Sequence, residues 1–162
     1  MSLISKFVVA SLALGAPFAV LAQGNAAASL CEANERILFT CPVGKKLVSV
    51  CSSRDLDESK GAMQYRFGLI EKLELVYPEE VAHPKRHFKF QRTYSRVESA
   101  EIQELEFQRG QVTYGVFTES IKGKEAAGVN VTIAGKVTTL KCKSLAGVRD
   151  FSEINQLGLP EM

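Results

Sequence analysis

The sequence predicts an all-β protein: an antiparallel meander of about eight or nine short strands, a closed barrel or a sandwich, with a short C-terminal helix. Three observations predict it. Apolar residues recur with a period near two through most of the chain beyond residue 35. Turn residues punctuate that alternation at Gly44, Arg109-Gly110, Gly123 and Ala134-Gly135. Three cysteines stand near the start of the alternating region and a fourth, Cys142, at its end, as a covalent staple between first and last strands requires.

The elements follow in order. Met1 to Lys6 make a short basic start, Phe7 to Leu21 an apolar run broken by Ser11, Gly15 and Pro17, and Val20-Leu21-Ala22 a cleavage pattern after Ala22. Residues 1–22 therefore read as a secretory signal; the run is shorter than the roughly 20 residues a membrane span needs. Residues 23–30, small and polar with three consecutive alanines, read as a disordered leader, and residues 31–162 as one disulfide-bonded β domain. Strands are expected from Arg36 to Cys41, Leu47 to Cys51, Met63 to Phe67, Leu73 to Tyr77, around Phe88 and Phe90, around Leu105 and Phe107, Val112 to Val116, Val129 to Ile133, and Val137 to Cys142. Even spacing and tight turns favour a meander, and the distant Cys142 favours the barrel over the sandwich. At the C-terminus Asp150 and Glu153 fit a capping box, Phe151, Ile154 and Leu157 share one helix face, and Gly158 can end the helix before Pro160. That face is expected to pack on one end of the β core.

Four cysteines in an exported chain should be paired. If residues 36–51 form a hairpin around Val43-Gly44-Lys45, Cys41 sits near its turn and Cys51 near its open end, more than about 10 Å apart. A disulfide needs Cα atoms within about 7 Å, which removes Cys41–Cys51. Cys31–Cys51 with Cys41–Cys142 is the preferred connectivity; Cys31–Cys41 with Cys51–Cys142 is the alternative. No Cys-x-x-Cys pair suggests a metal.

Composition excludes some function classes. Of 20 basic residues only Lys6 falls in the signal, so the remaining 140 residues carry 19 basic against 18 acidic groups. Such a chain has no bulk electrostatic drive toward nucleic acid or anionic membrane, and no later apolar run is long enough for an anchor. An oxidising compartment follows, the periplasm or the exterior.

Candidates for chemistry are few. His83 and His87 have i, i+4 spacing, but Pro84 lies between them, and neither a metal nor a cofactor is expected. The basic stretch Lys85, Arg86, His87, Lys89, Arg92 and Arg96 precedes Glu98, Glu101, Glu104 and Glu106, which predicts a cross-strand charge ladder on an outer face, with Phe88 and Phe90 pointing inward. Tyr65, Phe67, Phe90 and Tyr114 would line a ligand cavity if a barrel were hollow; filling the core is the usual role of such residues. There is no Gly-x-Ser-x-Gly elbow, Walker loop or dinucleotide fingerprint, and paired cysteines leave no thiol nucleophile, so an enzyme is not expected.

In size, export signal, disulfide content and strand pattern the mature segment resembles the small periplasmic lysozyme-inhibitor and immunity proteins. The resemblance is one of outline across the mature domain; no motif or inhibitory residue is carried over. It implies a protein-binding module that occludes a toxin or a cell-wall hydrolase. The two longest connections, residues 52–61 and 79–86, are the natural contact surfaces, with Arg54, Asp55, Asp57, Glu58, Lys85 and Arg86 supplying charge complementarity. The rival expectations are a small hydrophobic-ligand carrier and a structural envelope protein that docks through an exposed sheet edge.

Overall fold

In the computed structural model, which describes residues 27–148 and 151–162, nine strands form two antiparallel sheets. The first sheet has the order β1 (Arg36–Val43), β2 (Lys46–Ser52), β3 (Met63–Leu69), β4 (Lys72–Tyr77), and the second the order β5 (Lys89–Ser95), β6 (Ala100–Arg109), β7 (Val112–Ile121), β8 (Lys124–Ile133), β9 (Lys136–Lys141). Every neighbour in sequence within a sheet is a neighbour in space, as expected of a meander. Residues 1–22, expected to form a secretory signal, and residues 23–26 lie outside the described residues.

The barrel expectation is corrected: the sheets do not close on one another, and the architecture is a sandwich. Two local causes separate them. Pro78, lacking a backbone N–H, ends β4, and the chain then turns through a single 3-10 turn at Pro84–Arg86 before entering the second sheet. At the other end, β9 does not pair with β1. Instead the chain beyond β9 runs along the free edge of β1, where Lys143 N–H donates to Pro42 O at 2.8 Å and Thr40 N–H to Gly147 O at 3.1 Å. The Cys142 link is real, but it joins two sheets rather than two paired strands.

Alternation decides which side chains meet. Phe39, Val48, Val50, Met63 and Tyr65 of the first sheet and Phe90, Leu105, Phe107, Val116 and Val129 of the second share one core. Its centre is aromatic: Phe107 stacks on Tyr77 at 4.5 Å between centroids and on Tyr114 at 4.9 Å, and Tyr65 lies 4.8 Å from Phe107. Phe88 and Phe90 do point inward.

Both disulfides have the preferred pairing. Cys31–Cys51 has a Cα separation of 5.3 Å and Cys41–Cys142 one of 5.4 Å. The hairpin register pairs Cys41 with Val48 and Cys51 with Ile37, so Cys41 and Cys51 stand at opposite ends of it, as the spacing argument requires. No cysteine is free.

The outer face of the first sheet is covered by the chain that precedes β1. Thr40 Oγ1 donates to Ala28 O, Leu30 N–H to Ser49 Oγ, and Leu30 is buried. Residues 28–30, assigned to a disordered leader from sequence, are thus tied to the sheet, because Thr40 and Ser49 present hydroxyls to them on that face. The C-terminal helix α1 is shorter than its pattern suggests, Ser152–Asn155. Phe151 rather than Asp150 stands at its N-cap, without a side-chain cap, and Asp150 lies outside the described residues. Glu153 does not complete a capping box; its carboxylate takes Arg36 Nη1 at 2.8 Å. Phe151, Ile154 and Leu157 are buried in the core, as expected.

Candidate functional site

The two long connections meet. Loop 52–61 is shaped from within: Asp57 Oδ1 accepts from Ser59 N–H at 2.8 Å, Ser59 Oγ at 2.9 Å and Lys60 N–H at 3.0 Å. The backbone N–H of Ser59, followed by its hydroxyl, holds the Asp57 carboxyl below its ordinary range. Gly61 closes the loop with φ +82, and a Cβ there would strike the Leu56 backbone, so only glycine fits. The second connection docks against this loop: His83 Nε2 lies 3.2 Å from Asp57 O, Lys85 Nζ lies 3.2 Å from Glu58 Oε1, and Met63 N–H donates to Ala82 O at 3.1 Å. The C-terminal tail borders both, since a Cβ on Gly158 would touch Glu58 Oε1 and Lys85 Nζ.

Of the six charged residues named from sequence, Asp57, Glu58 and Lys85 lie where the two loops touch, and the six are not equivalent. Glu58 and Lys85 pair with each other, Asp57 shapes its turn, and Arg54 donates from Nε to Asn34 O and from Nη2 to Ala33 O, fastening the segment before β1. Asp55 and Arg86 are exposed and have no partner among the described residues.

Sequence reading missed the wall of this surface. A cavity of about 290 Å³ lies between loop 52–61 and the C-terminal helix, lined by Leu38, Leu56 and Leu157 with Arg36, Asp57 and Glu153. Arg36 bridges from β1 to the helix through Glu153. No spacing signal joins residues so far apart in sequence; the pairing follows only from the helix packing over the end of the sandwich.

The other candidates go elsewhere. Tyr65 and Tyr114 both pack against Phe107 and lie tilted 6.3 Å from each other, Phe67 is half-buried with Lys46 Nζ 5.2 Å from its ring centre, and Phe90 packs against Phe151, so these four fill space. Burial pushes the Tyr65 phenol well above its ordinary range, with a smaller contribution from Tyr114. His87 stands edge-on to Tyr77, 6.0 Å away, while His83 faces Asp57 O and Lys85 N, so the two rings serve different neighbours. Cys31, Cys51 and Glu35 cluster, but the sulfurs are bonded to each other and Glu35 to Arg66, which leaves no donor for an ion.

The expected charge ladder is present only in part, with a single opposite-charge pair in register on the outer face. Lys89 lies opposite Glu106 and Gln91 opposite Glu104 on the outer face. The Arg92–Glu101 pair at 2.9 Å is on the inner face instead, because Arg92 and Gln103 follow Phe90 and Leu105 in the alternation. The exposed edge strand β9 carries Lys136 and Lys141 at its ends, a composition that discourages edge-to-edge pairing. No helix among the described residues is long and apolar enough to cross a membrane. Two disulfides in a chain without a free cysteine point to an oxidising extracytoplasmic or secreted environment.

Comparison with protein-family models, curated proteins and solved structures finds no match to this chain.

Proposed function

We propose that this protein is a periplasmic protein-binding module of the inhibitor or immunity kind, which occludes a toxin or a cell-wall hydrolase rather than catalysing a reaction. The observation that carries this reading is the meeting of loops 52–61 and 79–86 through the Lys85–Glu58 and His83–Asp57 contacts. Two loops that brace one another present a surface ordered before binding, so association loses less conformational entropy. The exposed Asp55 and Arg86 then act on encounter rate and register. The small-ligand reading loses support because Tyr65, Tyr114 and Phe107 pack on one another. The edge-docking reading loses support from the lysines that flank β9.

Cross-linking of the oxidised protein to a muramidase and to envelope extract, followed by mass spectrometry, tests the reading. Cross-links at Lys60 and Lys85, together with loss of the hydrolase's lytic activity, are expected. Cross-links confined to Lys136 and Lys141, with lysis undiminished, would contradict it and favour a structural role.

A further inference from the structure

Two open sheets have four edges, and the chain itself covers two of them. The segment after β9 takes the edge of β1 through Lys143 N–H to Pro42 O and Thr40 N–H to Gly147 O. The C-terminal tail takes the edge of β5 through Phe90 N–H to Pro160 O at 2.9 Å. β4 pairs with β3 alone and β9 with β8 alone. No backbone hydrogen bond reaches the far side of either strand among the described residues. Each therefore leaves a row of unpaired peptide groups open to a further strand.

The two free edges are opposite in charge. β9 has Lys136 and Lys141 at its ends, both exposed and without an ion pair among the described residues. Residues 71–80, which contain β4, carry Glu71, Glu74, Glu79 and Glu80 against Lys72. Glu74 is paired with Lys46 and Glu79 with Arg109, yet both carboxylates stay partly exposed. The Glu71 and Glu80 carboxylates have no partner among the described residues. The spacing matches as well. Lys136 and Lys141 stand five positions apart, as do Glu74 and Glu79. Laid antiparallel with Lys141 opposite Glu74, Leu140 falls opposite Leu75 and Lys136 opposite Glu79. Leu140 and Leu75 both pack on the core of their own sandwich, so this register keeps the two cores on one side of the joined sheet.

We propose that a second copy of this chain docks here, the β9 edge of one molecule adding to the β4 edge of the next. The five-stranded sheet of one copy then continues into the four-stranded sheet of the other. The lysines that set β9 against another β9 fit it to β4, and the glutamates set β4 against another β4 in the same way. Because the two patches differ, the contact is head-to-tail and repeats from copy to copy. This self-association goes beyond the protein-binding reading and does not rest on it; only Glu79 is common to the two surfaces.

One strand a side is less than the roughly 20–30 residues of a stable interface, so sedimentation velocity of the oxidised protein should extend to about 1 mM. Mass should grow with concentration past the dimer, and less so as salt rises. Carbodiimide treatment of an equal mixture of isotope-labelled and unlabelled protein should join Lys136 or Lys141 of one copy to glutamates within residues 71–80 of another. The variants K136E/K141E and E74K/E79K, each checked for native near-ultraviolet circular dichroism, should each weaken self-association about tenfold or more. Mixing the two should restore it, since every edge again meets its opposite charge. A monomer at every concentration, association unaltered in both charge variants, or no recovery on mixing would overturn the proposal.

Discussion

Arg66 and Glu35 form a two-pronged ion pair on the outer face of the four-stranded sheet. Arg66 Nη1 meets Glu35 Oε2 at 2.6 Å and Nη2 meets Oε1 at 2.8 Å, with only 7 % and 16 % of the two side chains exposed. Arg66 also donates to Leu30 O and Gln64 Oε1, so one guanidinium fastens the segment before β1. Glu35→Ala should destabilise by about 3 kcal/mol, because it leaves a buried cation without its counter-charge. Replacing both residues by apolar side chains of similar size should cost much less. Urea unfolding of the two variants checks the difference.

The disulfides differ in the loop each closes. Cys41–Cys142 spans a separation of 101 residues and Cys31–Cys51 one of 20. In the chain-entropy view their removal should cost about 4–5 and about 3 kcal/mol respectively. Paired Cys→Ala variants, melted under oxidising conditions, should rank in that order.

Two glycines on the five-stranded sheet predict unequal tolerance. A Cβ at Gly128 would meet the Leu140 carbonyl oxygen and the Phe117 ring, whereas one at Gly115 would meet only the Glu104 side chain. Backbone cannot yield as a flexible carboxylate can. Gly128→Ala should therefore destabilise by about 1–3 kcal/mol and Gly115→Ala by less, as read from denaturant midpoints.

Glu104 predicts the sign of one pH effect. Burial raises its carboxyl above the ordinary range, opposed by the Asn130 hydrogen bond and assisted by Glu106. The folded state then holds this proton more tightly than the unfolded state. The resulting stability is complete below the unfolded pKa and lost as pH rises through the folded value. Glu104→Gln should remove that part of the decline, so variant and wild type should converge in acid and the variant should gain relative stability toward neutral pH in parallel melts.

Much of the fold was legible because period-two patterning and turn glycines are local signals. Phe39, Tyr65, Phe90 and Leu105 all face the core where alternation put them. Closure was not legible, since a Cys41–Cys142 bridge is compatible with paired strands or with facing sheets. The difference lies in the chain after Lys141, which takes the free edge of β1. The loop surface was legible as two polar connections, but not the internal use of Arg54, Asp57 and the Glu58–Lys85 pair. The inward turn of Arg92, Gln103 and Thr118 was written in the same alternation, one step beyond Phe90 and Leu105, yet their polarity disguised it.

The loop surface is the central claim, and association kinetics with a bound hydrolase or toxin test it most directly. The double charge reversal Asp55→Lys with Arg86→Glu touches two exposed residues and should change stability by less than about 0.5 kcal/mol. The account predicts that it lowers the association rate about tenfold at low salt, with the difference shrinking as salt rises. An association rate equal to that of the wild-type protein at every salt concentration would contradict it.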